Sequence, residues 1–171
     1  MNRNSCAEPT GRRIIYHCYG GSHSSVTAAA IHLGMLSPWE IPRVEDFLAV
    51  PFFDKTSSSD FGTIKFMGRD RNGNDVFVLS KKNFGQRTKT VLGGLAALMN
   101  RTDQVVLVDT FPLIGPDVML GGFVSRRLQL PQIGRPILFW GMRRCYHRLA
   151  GAVLRTKAKL KEAGGDQTRW M

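Results

Sequence analysis

A short strand that runs directly into a glycine turn and a capped helix is the feature that most constrains this chain. Residues Arg13 to Cys18 (RIIYHC) are β-branched and aromatic and lead to Gly20-Gly21, the pattern of a strand entering a turn. Ser24 or Ser25 then supplies an N-cap, and VTAAAIHLGML continues as an Ala-rich helix that stops near Gly34.

The remainder extends this unit. Residues 37–59 hold Pro38, Pro42, Pro51 and a Thr-Ser-Ser-Ser run, which reads as a short helix around Val44 to Leu48 followed by a mobile loop at Thr56 to Asp60. GTIKFMGR (62–69) and NDVFVLS (74–80) flank Asn72-Gly73, a strong hairpin signal. Thr88 to Asn100 reads as a helix with Val91, Leu92, Leu95 and Leu98 on one face. Its Gly93-Gly94 pair costs about 1 kcal/mol each unless something packs closely there. QVVLV (104–108), ending in Asp109, has the continuous apolar character of a buried parallel strand. Residues 118–128 read as a helix, PILFW (136–140) as another buried strand, and about 142–162 as a long closing helix. The order β-α-(β-hairpin)-α-β-α-β-α predicts an α/β fold, a mainly parallel sheet flanked by helices in a three-layer sandwich. Residues 13–162 form one such domain, between a flexible arm (1–12) and a flexible tail (163–171).

Composition narrows the class. The 171 residues are 43% hydrophobic and 22% charged, which excludes wholesale disorder and suits one domain. No apolar run approaches a bilayer span, and the polar first residues lack the apolar core of a signal peptide. A cytoplasmic protein without a membrane partner is expected. Cys6, Cys18 and Cys145 form no CxxC pair, so neither a disulfide framework nor a structural zinc site is indicated. Lys plus Arg outnumber Asp plus Glu by 24 to 13, a net charge of +11. That surplus favours anionic small molecules, acidic protein or nucleic acid as partners.

In an open α/β sheet, ligands collect beyond the carboxyl ends of the strands. Three ends are expected here: the 17–25 loop (HCYGGSHSS), Asp109-Thr110, and Gly141 with Arg143. The first has the makings of an anion cradle. Gly20 and Gly21 let backbone N–H groups approach a ligand, and the helix N-terminus adds free donors and partial positive charge. Ser22, Ser24 and Ser25 offer hydroxyls, His23 is a candidate acid or base, and Asp109 a candidate metal or ligand orienter. Neither the G-x-x-x-x-G-K-[ST] loop nor the G-x-G-x-x-G fingerprint is present. The competing reading of the Gly-Gly-Ser run is plain turn and cap chemistry. Cys18 is a candidate nucleophile, although a buried strand cysteine is the better reading. His17 and Cys18 point to opposite faces of a strand. His32, at the far end of the first helix, reads as a cap or packed residue. No metal site is indicated, and Mg²⁺ would enter only with a nucleotide.

A second candidate lies at the carboxyl end. Between Val118 and Leu160 there is no Asp or Glu, and Arg144, Arg148, Arg155 and Lys159 form a stripe on the last helix. Tyr146, Leu149, Val153 and Leu160 occupy its opposite face. The stripe is either a solvated face or a footprint for an acidic macromolecule.

The string IIYHCYGGSHSSVTAAAIHLGML (14–36) resembles a domain-of-unknown-function family, number 3189, of short proteins largely from endospore-forming bacteria. VVLVDTFPL, PILFWG and the closing helix are compatible with it over residues 13–160. The resemblance implies a compact cytoplasmic protein and brings no catalytic residue, cofactor or substrate. The reading is therefore a loop that binds a phosphate-bearing or other anionic ligand, with phosphate hydrolysis or transfer as its enzymatic form. The alternative is a non-catalytic regulatory protein that docks an acidic partner through the basic helix. Sequence leaves open whether the protein is an enzyme.

Overall fold

The computed structural model describes residues 11–56, 60–84, 87–99 and 104–165. The opening unit forms as expected: β1 spans Arg13–Cys18 and α1 spans Ser24–Leu33. A short α2 (Val44–Ala49) precedes the hairpin of β2 (Ile64–Arg69) and β3 (Asp75–Ser80). Then come α3 (Arg87–Leu98), β4 (Val105–Asp109), α4 (Pro116–Gly122), one π turn (Phe123–Arg127) and the 35-residue α5 (Pro131–Gly165).

Four strands form one mixed sheet in the order β2-β3-β1-β4, flanked by helices. β1 pairs in parallel with β3 and β4, while β2 runs antiparallel to β3. Register places Ile14 between Val76 and Val106, and Tyr16 between Val78 and Val108. These rows join α1, Val118 of α4 and the inner side of α5 in one core. The alternate rows, with Ile15, His17, Phe77, Leu79 and Leu107, face the other way.

Residues 136–140 are not a strand. They lie inside α5, because Leu138, Met142, Cys145, Leu149 and Val153 are all buried and recur at helical spacing. The short apolar run is the inward face of a long helix that tolerates Pro136 in its interior. Gly141 and Arg143 consequently mark no strand end. Close packing of α5 on α4 depends on Gly121 and Gly134. A Cβ on Gly121 would come within 2.3 Å of the Leu138 nitrogen, and one on Gly134 equally near that of Ser125.

The apolar face expected on α3 exists but is uncovered: Val91, Leu95 and Leu98 are 54%, 51% and 86% exposed. Among the described residues the sheet stops at β4, leaving no further strand for that face to cover. Nothing packs within 4 Å of where Gly93 or Gly94 would carry a Cβ. Of the terminal segments and the loop expected to be flexible, residues 1–10, 57–59 and 166–171 lie outside the described residues, whereas 163–165 are helical. Among the described residues no helix is long and apolar enough to cross a membrane.

Candidate functional site

From β1 the chain runs through α1 and β2 to β3 on one side of β1, and from β3 it crosses through α3 to β4 on the other side, so the sheet reverses its winding direction beside β1. A crevice is expected there on topological grounds, and the Tyr19–His23 turn occupies that point.

Both neighbouring strand ends hold the turn. On the β3 side, the Lys81 and Lys82 N–H groups donate to the carbonyls of Cys18 and Tyr19, each at 2.9 Å. On the β4 side, the Thr110 hydroxyl donates to the His17 carbonyl at 3.1 Å and bonds the Ser24 hydroxyl at 3.1 Å. Gly21 takes φ 61° with its α-carbon against Ser80, where a Cβ would meet the Ser80 backbone at 2.9 Å. Only glycine fits both demands. Gly20 faces open space.

The hydroxyls of the loop are spent internally. Ser25 bonds Cys18 Sγ (3.2 Å), which also accepts the Gly21 N–H (3.1 Å). Neither Ser24 nor Ser25 is the N-cap; that position is His23, whose side chain caps nothing, because both serine hydroxyls already bond elsewhere. The first-turn N–H groups of Ser24, Ser25 and Val26 therefore have no acceptor within the helix. Cys18 is buried at 4% exposure, in keeping with a strand cysteine.

One residue that pattern reading missed organises the wall facing the loop. Asp54 is 3% exposed and accepts from His23 Nε2 (3.1 Å), Arg135 Nε (2.9 Å) and the Ser125 hydroxyl (3.3 Å to each oxygen). Burial pushes its carboxyl up, but the hydrogen bonds and charges of His23 and Arg135 outweigh that and hold it below the usual range. Because the partner is a carboxylate, Nε2 of His23 is the donor in this bond. The backbone closes the same knot. Asp54 N–H donates to the Ser22 carbonyl (3.1 Å), Thr56 Oγ1 to the Gly21 carbonyl (3.1 Å), and Arg126 Nη1 to the Asp54 carbonyl (2.9 Å).

Between these elements opens a cleft of about 1290 Å³. Cys18, Gly20, Ser22, His23 and Ser24 line its floor, together with Lys82, Arg126, Arg127 and Arg135. Of these cations, Arg135 is committed to Asp54 and Arg126 to main-chain carbonyls. Lys82 stands 4.8 Å from the centre of the Phe61 ring. Neither Lys82 nor Arg127 has a carboxylate partner among the described residues.

Asp109 is placed elsewhere. It shares the opposite sheet face with His17 and is not among the residues lining the cleft. Its carboxylate accepts from Lys81 Nζ (2.5 Å) and the Phe111 N–H (3.0 Å) and lies 3.6 Å from His17 Nδ1. Burial raises that carboxyl, yet the Lys81 bond, the Phe111 N–H and the nearby charges bring it below its ordinary value. Burial drives His17 down to about 4, against the pull of Asp109. His32 is buried at the far end of α1 between the Tyr16 hydroxyl (2.8 Å) and Asp70 (3.0 Å), a packed position. Among the described residues no three His, Cys, Asp or Glu side chains gather as a metal site.

On α5, Arg144, Arg148, Arg155 and Lys159 are exposed, and Tyr146, Leu149 and Val153 are buried. Arg144 lies over the Trp140 ring (4.5 Å) and 3.5 Å from Asp117.

No curated protein and no solved structure matches the chain. The family model described as protein of unknown function (DUF3189) matches residues 13–158. With most of its length covered by that model, the chain belongs to the DUF3189 family.

Proposed function

We propose that the Gly20–Ser24 turn binds a phosphate-bearing or similarly anionic small ligand. The observation that carries this reading is the meeting, in one cleft, of the α1 N-terminus, through Ser24 and the turn residues Gly20, Ser22 and His23, with Lys82 and Arg127, two cations that no described carboxylate neutralises. Donors of this kind at a helix N-terminus suit an anion. Gly20, Ser22, His23 and Ser24 are the contacts, Ser22 and Ser24 through their backbone N–H groups because their hydroxyls are already bonded. Ser25 supports the turn through Cys18, and Gly21 shapes it. In the enzymatic form of the proposal, hydrolysis or transfer of phosphate, His23 with Asp54 behind it accepts the proton of the attacking group. Mg²⁺ would arrive with a nucleotide.

The test is calorimetric titration with inorganic phosphate, comparing the native chain with Gly20→Val. A Cβ at Gly20 meets nothing within 4 Å, so the added side chain starts into open space where Gly20 lines the cleft; an unchanged melting temperature checks that the variant is folded. Saturable binding that Gly20→Val weakens at least tenfold is expected. Silence from the native chain, or equal binding by the variant, overturns the proposal.

A second reading, docking of an acidic macromolecule on α5, is favoured by the exposure of Arg148, Arg155 and Lys159, which have no acidic partner among the described residues. Triple charge reversal of Arg144, Arg148 and Arg155 should abolish such an association and leave phosphate binding unchanged. An association that survives the reversal refutes it.

A further inference from the structure

We infer that the occupant of the cleft is a nucleoside 5′-phosphate, with its phosphate on the Gly20–Ser24 turn and its base against an aromatic wall beside it. The inference rests on the anion reading above and adds the body of the ligand. A cleft of about 1290 Å³ exceeds what a phosphate alone can fill and matches or surpasses the space that encloses drug-sized ligands.

Chemistry of the walls selects the body. Tyr19, Phe61, Phe111 and Phe123 all line the cleft. Tyr19 and Phe123 are 46% and 52% exposed, so these large rings are not spent on the core. Apolar surface left open within a concavity marks a binding groove. The Tyr19 and Phe111 rings lie 6.4 Å apart and tilted by 39°, offering a π face to a planar partner. Tyr19 directly precedes Gly20, so the ring and the anion donors belong to one turn. A sugar phosphate would leave this wall unused.

A polar feature of the same cleft points the same way. Gln129 lines it at the point where the π turn ends, its φ of 56° being that of the left-handed residue that closes a helix. Its amide is exposed, carries both donors and an acceptor, and has no protein partner among the described residues, so it is free to turn toward a ligand. Such a group matches the edge of a base and offers nothing to an alkyl chain.

The experiment is calorimetry on the full chain with adenosine and guanosine 5′-monophosphates, ribose 5-phosphate, adenosine and octyl phosphate. At least one nucleotide should bind tenfold or more tightly than ribose 5-phosphate, adenosine and octyl phosphate. Tyr19→Ala should reduce that nucleotide to the level of ribose 5-phosphate without changing the latter. Phe123→Ala serves as the second variant should Tyr19→Ala fold poorly. If ribose 5-phosphate or octyl phosphate binds as tightly as the nucleotides, or if both variants leave the preference intact, this inference falls and the anion reading stands. If adenosine binds as tightly as its phosphate, or nothing binds, the anion reading falls too.

Discussion

Replacing Asp54 by Asn probes the knot that shapes the cleft. The side chains are nearly isosteric, and Asn tolerates the φ of 51° that residue 54 adopts, so the change is one of charge and of one acceptor becoming a donor. The carboxylate accepts from His23 at 3.1 Å, from Ser125 at 3.3 Å and from Arg135 at 2.9 Å. Arg135 has a side chain 43% exposed, so its bond is screened and contributes at most about 1 kcal/mol. His23 bonds one carboxylate oxygen and Arg135 the other, so one of these two donors must face the new NH₂ group, while Ser125, equally near both oxygens, keeps a partner either way. Turning NH₂ against the sheltered His23 costs about 1–2 kcal/mol. Together these give about 1–3 kcal/mol, or roughly 2–12 °C in Tm for a chain of this size.

Urea unfolding at pH 7 measures it, with exposed Glu40→Gln as a control of equal charge change and an expected effect within about 0.5 kcal/mol. The pH dependence supplies a second reading. The Asp54 carboxyl titrates below its ordinary range in the folded state. Its contribution is therefore present above the unfolded value, about 3.9, and lost as pH falls through the folded value. The gap between native chain and variant should shrink below about pH 4. An Asp54→Asn chain as stable as Glu40→Gln at pH 7 refutes the assignment of Asp54 as the organiser of this wall.

Other consequences follow from named contacts. Gly21→Ala, at φ 61° and against the Ser80 backbone, should cost about 2 kcal/mol or more by thermal unfolding, and Gly20→Ala under about 0.5 kcal/mol. His17 binds its proton near pH 4 when folded and near 6.5 when unfolded, so stability should fall by roughly 2–3 kcal/mol as pH drops through that window. Both of its ring nitrogens lack hydrogen bonds among the described residues, so His17→Leu should flatten that slope while changing stability at pH 7 by under about 1 kcal/mol. A native chain with no such slope between pH 6.5 and 4 contradicts the burial argument. Leu149→Ala should cost about 2–5 kcal/mol and Leu98→Ala under about 0.5 kcal/mol, reflecting 0% against 86% exposure. Equal costs in denaturant titration would mean that α3 is covered.

The parts legible in the sequence are those written locally. β1, its glycine turn and α1 carry their instructions within about twenty residues, and Asn72-Gly73 between alternating runs announces the β2–β3 hairpin. PILFW misleads because five apolar residues have no period of their own. Reading on through Met142, Cys145 and Leu149 would have exposed the helical repeat. The site was legible on one side only. Gly20, Ser22, His23 and Ser24 fall together in the chain and in space, whereas Asp54 is 31 residues from His23 and 81 from Arg135, and nothing local to Phe53-Asp54 announces either partner. The serines misled for a related reason. Ser24 and Ser25 have the composition of an N-cap, but long-range bonds to Thr110 and short-range bonds to Cys18 claim their hydroxyls first.

α5 also acts as a ruler. It begins at the cleft, where Pro131 and Arg135 form part of the lining, and runs for 35 residues, about 50 Å at the usual helical rise. Its far turns, around Arg155 and Lys159, are exposed to solvent. A fluorophore or surface tether attached at Lys159 would therefore sit several turns from the ligand mouth. Immobilised in that way, the protein would present the cleft to solution, and a dye there would report on binding of macromolecules to the helix without touching the small-molecule site.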